Sequence, residues 1–380
     1  MNKVKHVLGI SGGKDSAALA IYLHEKYPQI DFVYYYTDTG KELDETYQLL
    51  ENIEIYLGKK IEKLVAKDAK AASENPFDFF YKSFRGYLPS ATARWCTNMM
   101  KLQPFENFVG TETPTVSYVG IRGDEDRDGY ISKKNNIQSI FPFRKNMWSE
   151  DVLHKLFTPK NQQAVLDYYN TIFKGQKLDK VVDILNSEIT FDRHQRLATE
   201  RQIKFKLNGL LDLGVVEFNH AIFQFLKGTE YPLSFEEDYP LLNNEDVLVR
   251  DDIFRILRES GVGVPAYYEK KEYEVDGMKG EYARSRSGCF FCFFQQKIEW
   301  VWLLEQHPEK FKEAMKYENV DDTFTWNQHE SLEELKQPER VKQIKLDHLK
   351  RTGREKSEDS PYLLDILDDT EADGCTACFI

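Results

Sequence analysis

Ser11-Gly12-Gly13-Lys14-Asp15-Ser16 joins an apolar run, KHVLGI, to a stretch of helical spacing that starts at Asp15. A loop that opens a helix gathers backbone N–H groups and the positive end of the helix dipole at one point, which is an anion site. Gly12 and Gly13 let the backbone approach phosphate oxygens without a Cβ in the way. Ser11 and Ser16 add hydroxyls and Lys14 adds a cation. Asp15 repels phosphate unless a cation intervenes, and Mg²⁺ is the natural mediator. The spacing is not that of a Walker A loop, which needs four residues between its first glycine and Gly-Lys-[Ser/Thr]. The second chemical resource is thiol. The chain has five cysteines, and Cys289–Cys292 and Cys375–Cys378 form two CxxC pairs, with Cys96 alone. In a reducing compartment such pairs point to metal or redox chemistry rather than structural disulfides.

The elements that position these residues alternate in the first third of the chain. KHVLGI, DFVYYYT, IEKLVAK, TVSYVGIR (Thr115–Arg122) and SIFPF (Ser139–Phe143) read as strands, with helices over Asp15–Lys26 and Glu42–Leu57. Buried strands alternating with helices predict an α/β fold, a parallel sheet covered by helices on both faces. Ligands of such sheets bind at the carboxyl ends of the strands, where the opening loop lies. From 145 to 230 the spacing turns helical throughout and reads as an insertion. The expected organisation is therefore a nucleotide-binding domain over 1–144, the insertion over 145–230, and a cysteine-containing C-terminal region over 231–380.

Further motifs end the other strands. Asp38-Thr39-Gly40 closes the second, and Asp38 there can accept from a ribose hydroxyl or hold Mg²⁺. Arg94 and Lys101 flank Cys96, offering charge to phosphate or a sulfate-like group and favouring thiolate. Arg122 ends the fourth strand within GIRGDEDR and is the candidate for the activated phosphate. Ser287-Gly288 precedes Cys289-Phe290-Phe291-Cys292, a way of presenting thiolates to a metal. Phe290, Phe291, Phe293, Trp300 and Trp302 read as core.

SGGKDS at Ser11–Ser16 resembles the signature of the PP-loop adenine nucleotide α-hydrolase superfamily. DTG at Asp38–Gly40, the Arg94–Lys101 segment, Arg122 and SGCFFC resemble its phosphoadenylylsulfate reductase-like branch. Asp126 stands where that branch has a serine, and Phe293 where it has a proline. The likeness covers Val4–Arg127 and Tyr231–Glu309. It implies ATP bound by Ser11, Gly12, Gly13, Asp38, Thr39, Gly40, Arg94 and Lys101. Lys14, Asp15, Ser16 and Arg122 would cleave it between the α- and β-phosphates and adenylate an acceptor for sulfur transfer. The nearest resemblance is to the ATP pyrophosphatases of DNA phosphorothioation, the DndC and SspD type, associated with phage defence. It implies a cysteine desulfurase and other modification-complex proteins as partners. It also implies a [4Fe–4S] cluster on Cys96, Cys289 and Cys292, with Cys375 or Cys378 as fourth ligand or sulfur relay; zinc on the two CxxC pairs is the alternative. A sulfonucleotide reductase and a non-catalytic ATP-sensing subunit are the competing functions.

Charge and hydropathy limit these readings. Lys plus Arg number 51 against 63 Asp plus Glu, a net charge of −12. Such a surface disfavours unaided binding of long nucleic acid, so DNA contacts are expected from partners. The opening apolar run is too short for a signal peptide and no stretch reaches the length of a membrane span, so a cytoplasmic protein without membrane contact is expected.

Overall fold

The computed structural model describes residues 3–127, 129–187, 196–319, 324–327 and 330–355. Strands β1 (Lys5–Gly9), β2 (Phe32–Thr37), β3 (Ile61–Leu64), β4 (Thr115–Tyr118) and β5 (Ile137–Ile140) form one parallel sheet in the order β3-β2-β1-β4-β5. The register pairs Val7 with Ser117 and Ser117 with Ser139. The α/β class expected from the alternation of apolar runs and helices is the class observed. Helix α1 (Lys14–Lys26) follows β1 directly, and α2 (Asp44–Leu57) follows β2.

Local chemistry moves some boundaries. The fifth strand lies before, not over, the FPF segment, because Pro142 has no N–H to continue a ladder. Helix α2 begins two residues later than its spacing implies, since Glu42 is used in an isolated antiparallel bridge to Cys289. A hairpin absent from the sequence reading, β6 (Lys271–Val275) with β7 (Met278–Tyr282), turns on Asp276-Gly277. Both turn residues have positive φ, 49° and 74°, as a two-residue type I′ connection requires.

The described residues fall into two compact units. One is drawn from Met1–Gly9, Ala18–Tyr34 and Val109–Ile253, the other from Ile10–Ala17, Tyr35–Phe108 and Phe254–Ile380. The first contains β1, β4 and β5 and the helices Glu150–Leu156, Gln162–Ile172, Gln176–Asn186, Arg196–Leu213 and Val215–Leu226. Its centre is pinned by Trp148, whose indole N–H donates to Asn219 at 2.9 Å in a fully buried contact. The second unit is packed around aromatics: Phe291 stacks on Trp326 with centroids 4.5 Å apart, and Phe77 meets Phe291 at 4.5 Å with its ring inclined by 56°. Phe290, Phe291, Trp300 and Trp302 are core, as read from the sequence, while Phe293 is half-buried. No helix of the described residues is long and apolar enough to cross a membrane.

Glu299 ties the cysteine segment into this second unit. It is buried, and its carboxylate accepts from Ser285 N–H at 2.6 Å, Ser285 Oγ at 2.8 Å and Gln296 N–H at 2.8 Å. Three donors on one carboxylate offset its desolvation. Glu299→Ala leaves them without an acceptor, and unfolding in urea should show a loss of about 2–4 kcal/mol.

Candidate active site

Ser11–Ser16 runs from the end of β1 into the first turn of α1, and all six residues belong to the second unit. Ser16 Oγ accepts from the Ser11 N–H at 3.1 Å and donates to the Gly13 carbonyl at 3.3 Å, so the serine closes the loop on itself. Lys14 and Asp15 are both buried and paired at 3.4 Å. Gly12 has φ +76°, in the left-handed region, and a Cβ there would run into Thr46 of α2. A Cβ on Gly13 would stand 2.6 Å from Ser287 Oγ. Both glycines are therefore required by close neighbours as well as by whatever the loop holds.

Two adjacent tyrosines not singled out in the sequence brace the same loop. Tyr267 is buried and donates its hydroxyl to the Gly12 carbonyl at 2.8 Å. Tyr268 Oη accepts from the Lys14 N–H at 3.4 Å, and Lys14 Nζ stands 5.0 Å from the centre of its ring. They lie more than 250 residues downstream of the loop, and neither belongs to a spaced motif that could have marked them.

The Asp38-Thr39-Gly40 turn meets the cysteines. Asp38 accepts from the Gly40 N–H at 2.8 Å and Tyr47 Oη at 3.0 Å and is ion-paired with Lys63. Thr39 Oγ1 donates to Glu42 Oε1 at 2.7 Å and lies 3.1 Å from Cys289 Sγ. Burial, then the nearby Asp38 carboxylate, push the Glu42 carboxyl up. Burial, then the Glu42 charge, push the Cys289 thiol well up, while Lys101 opposes both shifts. The expectation of thiolate character concerned Cys96, beside Arg94 and Lys101; the thiol that burial pushes up is Cys289.

Cys96, Cys289 and Cys292 line a single cavity of about 50 Å³, together with Thr39, Lys101, Ser287 and Gly288. Lys101 reaches this wall from a π-helical turn, Asn98–Leu102. Pro104, which lacks the N–H that would bond Met100 in an α-helix, follows at once and favours the wider turn. Arg94 lies over the Phe294 ring at 5.0 Å, and Arg286 over the same ring at 5.8 Å.

The remaining predicted residues are placed elsewhere. Arg122 belongs to the first unit, where it is buried against Asp124 at 2.9 Å and Glu125 at 3.5 Å. Cys375 and Cys378 lie outside the described residues. Among the described residues no three His, Cys, Asp or Glu side chains converge as a metal-ligand set. The three thiols are right in kind for iron or zinc, but as placed they share a cavity wall rather than a coordination sphere. Of the two carboxylates expected to hold Mg²⁺, Asp38 is engaged by three donors, whereas Asp15 is paired within the loop itself.

Residues 5–153 match the phosphoadenosine phosphosulfate reductase domain family. The chain is also 33% identical over 149 residues to the uncharacterized protein MJ0066 of Methanocaldococcus jannaschii. That alignment covers 36% of this chain and 28% of the relative. The chain thus spans little more than a quarter of the relative's length, and the relative's name states no activity.

The two glycines should respond differently to a methyl group. Gly12→Ala meets both a positive φ, costing about 1–2 kcal/mol, and the Thr46 side chain. Gly13→Ala meets chiefly the end of a rotatable serine. ATP titration should show binding lost in Gly12→Ala and only weakened in Gly13→Ala. Adding Ser287→Ala should restore the second and not the first, giving a non-additive double-mutant cycle.

Proposed function

We propose that this chain, whose residues 5–153 are a phosphoadenosine phosphosulfate reductase domain of the PP-loop superfamily, is an ATP pyrophosphatase that activates an acceptor for sulfur transfer. The observation that carries the proposal is the meeting of the nucleotide loop with the thiols. Ser287, two residues before Cys289, sits against Gly13, and Thr39 of the DTG turn touches Cys289 Sγ. A loop suited to phosphate and a cysteine suited to sulfur delivery belong to one site.

The roles follow from position. The loop N–H groups and Lys14 hold the phosphates, Asp15 carries Mg²⁺, and Ser16 keeps the loop closed. Mg²⁺, when bound, neutralises the pyrophosphate leaving group. An acceptor oxygen attacks the α-phosphorus of ATP and pyrophosphate departs, leaving the acceptor adenylated. The terminal sulfur of a cysteine persulfide then displaces AMP. The resulting mixed disulfide is resolved by a neighbouring thiol, which leaves a cysteine disulfide for an external thiol to reduce. Cys375 and Cys378, the second CxxC pair of the sequence, are the candidates for that exchange. The acceptor we favour is a DNA backbone phosphate, with a cysteine desulfurase as sulfur source and partner proteins supplying the DNA contacts that a net charge of −12 withholds. Cys96, Cys289 and Cys292 are the proposed protein ligands of a [4Fe–4S] cluster, zinc being the alternative.

The description of the matched family favours a second reading, reduction of adenylyl sulfate or its 3′-phosphate to sulfite. The intact SGGKDS loop, suited to a pyrophosphate, sets the first reading ahead of it.

Asp15→Ala and Ser16→Ala should each abolish pyrophosphate release from ATP while circular dichroism stays native. Wild-type turnover in both would remove the ATP-cleaving assignment. Anaerobically purified chain should carry about four irons and four sulfides. Cys96→Ala, Cys289→Ala or Cys292→Ala should each lose most of that iron, and stoichiometric zinc without iron would replace the cluster by a zinc site.

A further inference from the structure

Arg284 is 5% exposed, and its environment is unusual for a buried guanidinium. Its Nη2 donates to the Cys289 carbonyl at 3.0 Å, and its own backbone N–H to the Tyr267 carbonyl at 2.8 Å. The guanidinium lies 5.8 Å from the centre of the Tyr267 ring. Nε and Nη1 are buried and have no partner. Among the described residues, no carboxylate lies within ion-pair distance of it. A buried cation with one neutral acceptor is costly, because the desolvation of its charge is not offset. Arg122 shows the ordinary solution, with two carboxylates beside it.

The position of this unbalanced charge is informative. Tyr267, which Arg284 contacts through its backbone and its ring, is the residue that holds the Gly12 carbonyl. Cys289, whose carbonyl Arg284 holds, lines the thiol cavity. Arg284 therefore stands between the braces of the phosphate loop and the first cysteine, on the segment that carries Ser287 to Gly13. Its Nε–H and Nη1–H lie on different sides of the guanidinium, each without an acceptor, and each can donate to a single oxygen of an oxyanion.

We infer that Arg284 donates to an oxyanion of the nucleotide ligand, a phosphate or sulfate oxygen beyond the α-phosphate, and so joins the loop in holding the group that leaves. This rests on the nucleotide reading given above. The anion supplies the counter-charge that the folded chain lacks at this point, and it does so only when a ligand with a terminal oxyanion is present. AMP, which ends at the α-phosphate, does not reach the guanidinium.

The test is calorimetric titration of the full chain and of Arg284→Gln and Arg284→Lys with ATP, pyrophosphate, adenylyl sulfate and AMP, Mg²⁺ being present. In Arg284→Gln, the ligand that uses the site should weaken by about tenfold or more, while AMP stays within about twofold; Arg284→Lys should fall between. Weakening of ATP and pyrophosphate identifies the anion as phosphate, and weakening of adenylyl sulfate alone as sulfate. Unchanged affinity for all three, or equal loss for AMP in a folded variant, would overturn the inference. Failure of the wild-type chain to bind any nucleotide would overturn the nucleotide reading and this inference with it. If Arg284→Gln does not fold, the Nε–H resonance of Arg284 in ¹⁵N-labelled wild-type chain decides. It should shift on saturation with ATP or adenylyl sulfate and not with AMP, and an unmoved resonance would overturn the proposal.

Discussion

The hydroxyl of Ser287 occupies the space that a side chain at Gly13 would need. That approach brings together two segments more than 250 residues apart in the chain. From Gly13 one line runs into α1, where Ser16 closes the loop. The other runs through Ser287 back to Ser285, held by the buried Glu299, and forward to Cys289, held by Thr39 and by the bridge to Glu42. The position of the thiols thus depends on glycine at 13 as much as the Ser11–Ser16 loop does. Core aromatics around Phe291 give the cysteine segment a rigid backing.

Electrostatics divides this site into two parts. Around Thr39, burial shifts both Glu42 and Cys289 upward, the Asp38 carboxylate adding to the first shift and the Glu42 carboxylate to the second. In the loop Lys14 is paired with Asp15, and at Arg284 a buried cation has, among the described residues, no carboxylate beside it. A ligand with a phosphate tail complements the second part, while the first keeps the Cys289 thiol quiet until something changes its surroundings. Binding that brings negative charge to the cations and excludes water would strengthen both effects. A chain with net charge −12 can hold such a buried cation, because the local charge is set by a few fixed side chains and helix ends rather than by the sum.

The parts of the fold that were legible in the sequence are those written locally. The alternation of apolar runs with helices gave the parallel sheet, and the SGGKDS loop lay at the strand–helix junction where it was expected. Helix breaks followed chain chemistry, as at Pro308, which separates Lys297–Gln306 from Pro308–Met315. The Asp276-Gly277 hairpin was equally local and could have been read from its turn residues. Tyr267 and Tyr268 were not legible, because their meaning comes from contacts across more than 200 residues, and Arg284 meets the loop only through Tyr267, so no spacing rule links them to it. Arg122 was read from its motif, but only the structure shows that two carboxylates already balance its charge. For the cysteines, spacing announced thiol chemistry; their arrangement on one cavity wall needed coordinates.

The claim that nucleotide loop and thiols form one site is tested most directly by the rate at which iodoacetamide labels Cys96, Cys289 and Cys292, followed residue by residue by mass spectrometry in metal-free reduced chain. Saturating ATP with Mg²⁺ should slow labelling of Cys289 and Cys292 by about tenfold or more, since the loop that closes on the ligand is the loop on which Ser287 rests. Labelling rates unchanged by ATP, in chain shown by titration to be fully bound, would contradict the account.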